Sequence, residues 1–107
     1  MANPWRGEVV LTLDGRELPM RLPLGILAEL ESELVCGSLL GLVQRFEQGT
    51  FGAGDLMALL HAGLRGGGSE ISRDDLGRAR IGGGPVGAAQ AAARLLRLTF
   101  ALPEGGG

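Results

Sequence analysis

The chain has 107 residues, 45% of them hydrophobic, and a formal net charge of −2 at pH 7. This length predicts a single domain with a small core, and the balanced charge argues against a nucleic-acid-binding surface. The single cysteine, Cys36, predicts a protein without internal disulfides, as expected in a reducing cytoplasm. The sequence has neither a signal-peptide segment nor an apolar run of about 18 residues, so no membrane span is expected.

Residues 7–22 predict a β-hairpin. The dipeptide Asp14-Gly15 suits a two-residue type I′ turn, which needs positive φ at both positions. This turn places Val9 opposite Met20. Alternate side chains then share one apolar face of the hairpin: Val9, Leu11, Leu13, Leu18, Met20 and Leu22.

The outer features of the hairpin also follow from this register. Glu8 and Arg21 face each other and are expected to form an ion pair. Pro19 falls at a position whose N–H would point away from the first strand, so it costs no hairpin hydrogen bond. We therefore expect the second strand to be a free edge of the sheet.

The rest of the chain predicts helices with apolar stripes, at about residues 24–36, 38–48, 54–65, 72–80 and 85–101. Ser38 and Ser72 are predicted N-caps, and Gly37 and Gly49 are placed to end helices. Residues 1–6 would form an N-terminal arm, residues 7–102 one domain, and residues 103–107 a flexible tail. The fold class is therefore α+β: a hairpin packed against four or five short helices.

No group of residues supports catalysis, a metal site or a cofactor. The lone His61 has no second ligand or nucleophile near it in sequence. Asp74 and Asp75 point in different directions on a helix and suit its first turn. The acidic residues of 29–33 predict a solvated face, and the glycine clusters lack the lysine of a phosphate-binding loop. The sequence thus predicts a protein that is not an enzyme.

Several segments together resemble a known family. The opening N-P-W-R-G-E-V, the stretch R-F-E-Q-G-x-F and the segment A-G-L-R-G-G-G at Ala62–Gly68 are similar to the gene transfer agent protein family. That family is grouped with phage tail assembly chaperones and is also labelled a phage tail tube protein. The resemblance covers about residues 3–102. Gly52 and Gly54 depart from it, since related sequences more often carry a capping Ser and a polar residue there, and this predicts a weaker start to the third helix.

The resemblance implies a prophage-derived tail assembly protein of the bacterial cytoplasm. In this interpretation it is a chaperone that binds the tape-measure protein without catalysis and meets other tail proteins. The alternative is a tail tube or connector component that stays in the particle. The resemblance leaves open whether the protein forms a homo-oligomer, and it supplies no site residue.

The high apolar content leads to a hypothesis for the partner-binding surface. Part of one helix face and the loop after it, at Leu39, Leu42, Phe46 and Phe51, would be left open to receive helices of the tape-measure protein. The alternative is that these four side chains belong to the core. Trp5 either packs over the base of the hairpin or anchors a partner.

Overall fold

A computed structural model of the chain describes residues 9–34 and 37–100. Within these ranges two strands are followed by five helices: β1 (Val9–Leu13), β2 (Arg16–Met20), α1 (Leu24–Glu33), α2 (Leu39–Gln48), α3 (Ala53–Gly66), α4 (Arg73–Arg78) and α5 (Gly84–Phe100). The strands form an antiparallel sheet and most of the described chain is helical. The predicted α+β class is confirmed.

The hairpin has the predicted register, with Val9 opposite Met20. The turn residues Asp14 and Gly15 have φ values of 49° and 79°, which is what a type I′ turn requires. The apolar face is buried as predicted, apart from the half-buried Leu18. Its buried side chains are those of Val9, Leu11, Leu13, Met20 and Leu22.

The outer edge of the chain at residues 19–21, where β2 ends, is covered by the end of α3, so the prediction of a free edge is wrong there. The backbone N–H of Arg21 donates to the carbonyl of Gly63 at 2.9 Å. A Cβ atom on Gly66 would lie 2.0 Å from the carbonyl oxygen of Arg21, and one on Gly67 would lie 2.1 Å from that of Pro19. The two backbones can approach this closely only because both residues lack a side chain. The predicted ion pair of Arg21 involves Glu8, which lies outside the described residues.

The outer edge of β1 is met by residues 80–82, between α4 and α5. The backbone N–H of Asp14 donates to the carbonyl of Arg80 at 2.8 Å, and the N–H of Gly82 donates to the carbonyl of Thr12 at 2.9 Å. The carboxylate of Asp14 accepts a hydrogen bond from the N–H of Arg80 at 2.9 Å. The hairpin turn is thereby attached to a segment far along the chain.

Three helix ends follow the capping signals in the sequence, but Gly37 does not end α1, whose C-cap is Leu34. The hydroxyl of Ser38 accepts a hydrogen bond from the N–H of Gly41 at 3.0 Å, and that of Ser72 accepts one from Asp75 at 3.0 Å. Gly49 ends α2 in the left-handed conformation, with φ of 73°. These three signals are confirmed because each acts within a few residues of chain.

The ends of α1 and α4 fall short of the prediction, since α4 ends at Arg78, and the start of α3 adds to it. α1 ends at Glu33, short of residue 36, because Leu34 adopts an extended conformation with ψ of 135°. α3 has Gly52 as its N-cap, which offers no side chain. The carboxylate of Asp55 instead accepts a hydrogen bond from the N–H of Gly52 at 3.0 Å. This contact is half of a capping box and supports the helix start that the sequence predicted to be weak.

The core lies between the inner face of the hairpin and two helices. α3 packs on β2 and α5 packs on β1, while α1, α2 and α4 close the remaining sides. The largest fully buried side chains are those of Met20, Leu30, Leu42, Leu59, Leu60, Leu64, Leu76 and Leu95.

The glutamates of α1 are exposed, as predicted, but each contacts a different later helix. Glu29 forms an ion pair with Arg65 of α3 at 2.6 Å, and Glu33 forms one with Arg73 of α4. Glu31 accepts a hydrogen bond of 3.1 Å from the first backbone N–H of α2. The acidic face therefore orients α1 against three neighbours.

Candidate partner-binding surface

An apolar groove of about 210 Å³ lies between α2 and α5. We call it the α2–α5 groove. Three of its lining residues come from α2, namely Val43, Phe46 and Glu47. Four come from α5, namely Ala93, Leu96, Arg97 and Phe100. The groove thus combines aliphatic and aromatic walls with two exposed side chains of opposite charge.

The hypothesised partner-binding residues fall at different depths. Leu39, Phe46 and Phe51 are half-buried, and Phe46 lines the α2–α5 groove. Leu42 is 0% exposed and belongs to the core, so a partner cannot touch it on the folded surface. Trp5 lies outside the described residues.

The ring of Phe46 stacks on the ring of Phe51. Their centroids are 4.2 Å apart and their planes differ by 2°, a stacked pair. The left-handed Gly49 reverses the chain after α2, and the N–H of Thr50 donates to the carbonyl of Arg45 at 2.9 Å. This turn brings Phe51 onto Phe46 and holds one wall of the groove in place.

A stripe of apolar residues follows α5 beyond the groove. Its members alternate at spacings of three and four residues, the pattern that lets a second helix pack along the first. We call it the α5 stripe: Val86, Ala89, Ala93, Leu96 and Phe100. Leu96 is buried, but Val86 is 66% and Phe100 39% exposed. The described neighbours of α5 therefore cover only part of the stripe.

An ion pair between the buried Asp55 and the partly exposed Arg45 fixes α2 relative to α3 beside this surface. The carboxylate of Asp55 lies 2.8 Å from the guanidinium of Arg45, and Asp55 is 6% exposed. Sequence reasoning missed this pair. The spacing from Gly52 to Asp55 could have indicated the capping contact, but nothing in the sequence indicates which arginine would meet the carboxylate.

A comparison with protein-family models matched residues 6–102 to the family described as phage tail tube protein, GTA-gp10. The matched range includes both strands, the α2–α5 groove and the α5 stripe. The chain belongs to this family. It is a family of the tail assembly chaperone group, so the resemblance read from the sequence motifs is confirmed. The chain matched no curated protein and no solved structure.

In this tail-family protein the glycine-rich segment Ala62–Gly68 serves backbone packing. Gly66 and Gly67 lie against β2, as described above. A Cβ atom on Gly63 would lie 2.7 Å from Leu95 and 3.1 Å from the Cβ of Met20. These contacts account for the glycines without a bound ligand.

The other residues singled out for chemistry have structural contacts. Nε2 of His61 lies 3.1 Å from the carbonyl oxygen of Ile71. Asp74 and Asp75 are exposed in the first turn of α4. Across residues 9–34 and 37–100, no group of three or more His, Cys, Asp or Glu residues could hold a metal ion. None of the described helices is long and apolar enough to cross a membrane.

Proposed function

We propose that this tail-family protein is an assembly chaperone that binds the tape-measure protein in the bacterial cytoplasm, without catalysis or a cofactor. The observation that carries the proposal is the α5 stripe, which runs past the α2–α5 groove with exposed apolar residues at both ends. A surface of this shape suits an amphipathic helix that places apolar anchors every three or four residues.

The groove would give such a helix a defined position. Phe46 and Phe100 offer aromatic surface, and aromatic residues dominate the energetics of many interfaces. Glu47 and Arg97 carry opposite charges and would favour one direction of the incoming helix. Leu39 and Phe51 would lie next to the bound helix.

Binding of the tape-measure protein is tested by placing a charge in the groove. Ala93→Glu puts a carboxylate on the half-buried part of the α5 stripe, while Ala28→Glu makes the same change at an exposed position of α1. Co-purification with the tape-measure protein should be lost for Ala93→Glu and retained for Ala28→Glu. Circular dichroism verifies that both variants fold. If a folded Ala93→Glu protein still co-purified with the tape-measure protein to the same extent, the proposal would be wrong.

Leu42→Asp is unsuitable for this test. It would bury an unpaired carboxylate in the core, because Leu42 is 0% exposed. Loss of binding would then report unfolding.

The second candidate function is a structural tail component that stays in the particle. The family's own description as a tail tube protein favours it. Mass spectrometry of purified particles separates the two functions, since a chaperone should be absent and a tube or connector subunit abundant. Light scattering of the isolated protein would show whether it forms a homo-oligomer, as a subunit of a ring would.

A further inference from the structure

The start of β1 lies beside α5, the helix that forms one wall of the α2–α5 groove. Val9 pairs with Met20, and the Cβ of Met20 and a methyl group of Leu95 both lie within 3.1 Å of the place where a Cβ of Gly63 would be. The next residue of α5, Leu96, lines the groove. The chain before Val9 therefore leaves the sheet near Leu95, the α5 residue that precedes a lining residue of the groove.

The N-terminal arm gives Trp5 some reach beyond the end of the sheet. Eight residues precede Val9, and Trp5 is four residues before it. An extended chain spans about 3.3–3.6 Å per residue, so Trp5 can lie up to roughly 13 Å from Val9.

The groove has the size and chemistry for an indole ring. A cavity of about 150 Å³ accepts benzene, so about 210 Å³ leaves room for a larger aromatic ring. Phe46 and Phe100 would contact its faces or edges. The carboxylate of Glu47 could accept a hydrogen bond from the indole N–H, a group that usually finds a partner when buried.

We propose that Trp5 of the chain's own N-terminal arm occupies the α2–α5 groove in the free protein. The contact is intramolecular, so the short tether gives the indole an effective concentration of order millimolar, and a weak contact suffices to populate it. The inference concerns the isolated protein and does not rest on binding of the tape-measure protein. A ligand that enters the groove would have to displace Trp5.

Tryptophan fluorescence tests this placement directly, because Trp5 is the only Trp in the chain and the chain has no Tyr. In the native protein the emission of Trp5 should be shifted to shorter wavelength than in urea, with weak quenching by iodide. Ala93→Phe fills the groove and should shift the emission back and raise the quenching constant several-fold. Ala28→Phe, at an exposed position of α1, should change neither.

Three results would overturn the proposal. The first is native emission identical to that in urea. The second is shifted emission that a folded Ala93→Phe variant leaves unchanged, which would place Trp5 elsewhere, such as over the hairpin base. The third is a shift that disappears on dilution, which would mean that a second copy supplies the indole. If Ala93→Phe does not fold, NMR contacts between the indole protons and the methyl groups of Leu96 decide in its place.

Discussion

At the scale of single residues, Gly66 at the end of α3 and its neighbour Gly67 reverse a usual rule about glycine in helices. Replacing an exposed helical glycine with alanine generally stabilises a protein by about 0.5–1 kcal/mol. At these two positions the added methyl group would meet the carbonyl oxygens of Arg21, just after β2, and of Pro19 in β2, at 2.0 and 2.1 Å. A backbone oxygen cannot move aside as a flexible side chain can, so the sheet and α3 would have to separate.

We therefore expect Gly66→Ala and Gly67→Ala each to lower the free energy of unfolding by about 1–3 kcal/mol or more, the cost of overpacking a filled site. Gly54→Ala is the matched control, because Gly54 is also in α3 and nothing lies within 4 Å of its added Cβ. It should raise stability slightly. Urea titration of the three variants measures this, and a stabilised Gly67→Ala protein would contradict the close approach.

Asp55 combines two tasks that substitutions can separate. Asp55→Asn keeps an oxygen that can accept the hydrogen bond from Gly52 but removes the charge facing Arg45. Asp55→Ala removes both. We expect Asp55→Ala to cost about 1–3 kcal/mol, since a cap is worth about 1 kcal/mol and the partly exposed Arg45 is left without its partner.

The Asn variant should lie between Asp55→Ala and the unchanged protein. Asp75→Asn, at an exposed position of α4, is the control and should stay within about 0.5 kcal/mol. Thermal unfolding orders the variants. Equal losses for Asp55→Asn and Asp55→Ala would assign the whole effect to the ion pair.

At the scale of elements, α1 contacts the rest of the protein through one buried side and one charged side. The buried side should contribute more to the free energy of unfolding. Leu30 is 1% exposed, and Leu30→Ala should cost about 2–5 kcal/mol, as other large-to-small core changes do. Glu29→Gln breaks an exposed ion pair with Arg65 and should cost at most about 0.5 kcal/mol. Denaturant unfolding in low and high salt checks both values. A larger loss of stability for Glu29→Gln than for Leu30→Ala would mean that ion pairs hold α1 in place more than its buried side does.

The elements also show which features the sequence could predict. The hairpin register, the two serine caps and the end of α2 at Gly49 depend on neighbouring residues, so local patterns were sufficient. The cover of β2 by Gly66 and Gly67 depends on where α3 docks. From the sequence alone, a glycine cluster that packs against a strand looks the same as one that only ends a helix. The α5 stripe was visible as a pattern, but only packing shows that Leu96 is buried while Val86 is exposed.

At the scale of the whole molecule, three backbone hydrogen bonds join distant segments to the hairpin. The N–H groups of Asp14, Arg21 and Gly82 donate to Arg80, Gly63 and Thr12. We expect these three amide hydrogens to exchange with solvent at a common opening free energy equal to that of global unfolding, because none can open without separating packed elements.

The N–H of Gly68, which bonds within the last turn after α3, should exchange much faster and serves as the local comparison. Native-state hydrogen exchange followed by NMR measures all four. Unequal protection of Arg21 and Gly82 would mean that the α3 side and the α5 side of the hairpin open independently.

The order of contacts along the chain has a consequence for biosynthesis. The hairpin leaves the ribosome before the helices that cover its inner face, which are completed only at Gly66 and Phe100. A two-stranded hairpin alone is marginally stable in water, so the nascent chain has little to hold β1 and β2 together during most of translation. At about 5–20 residues per second the last helix follows within seconds. The hairpin and helices should therefore acquire their structure in a single late step, after α5 has been made.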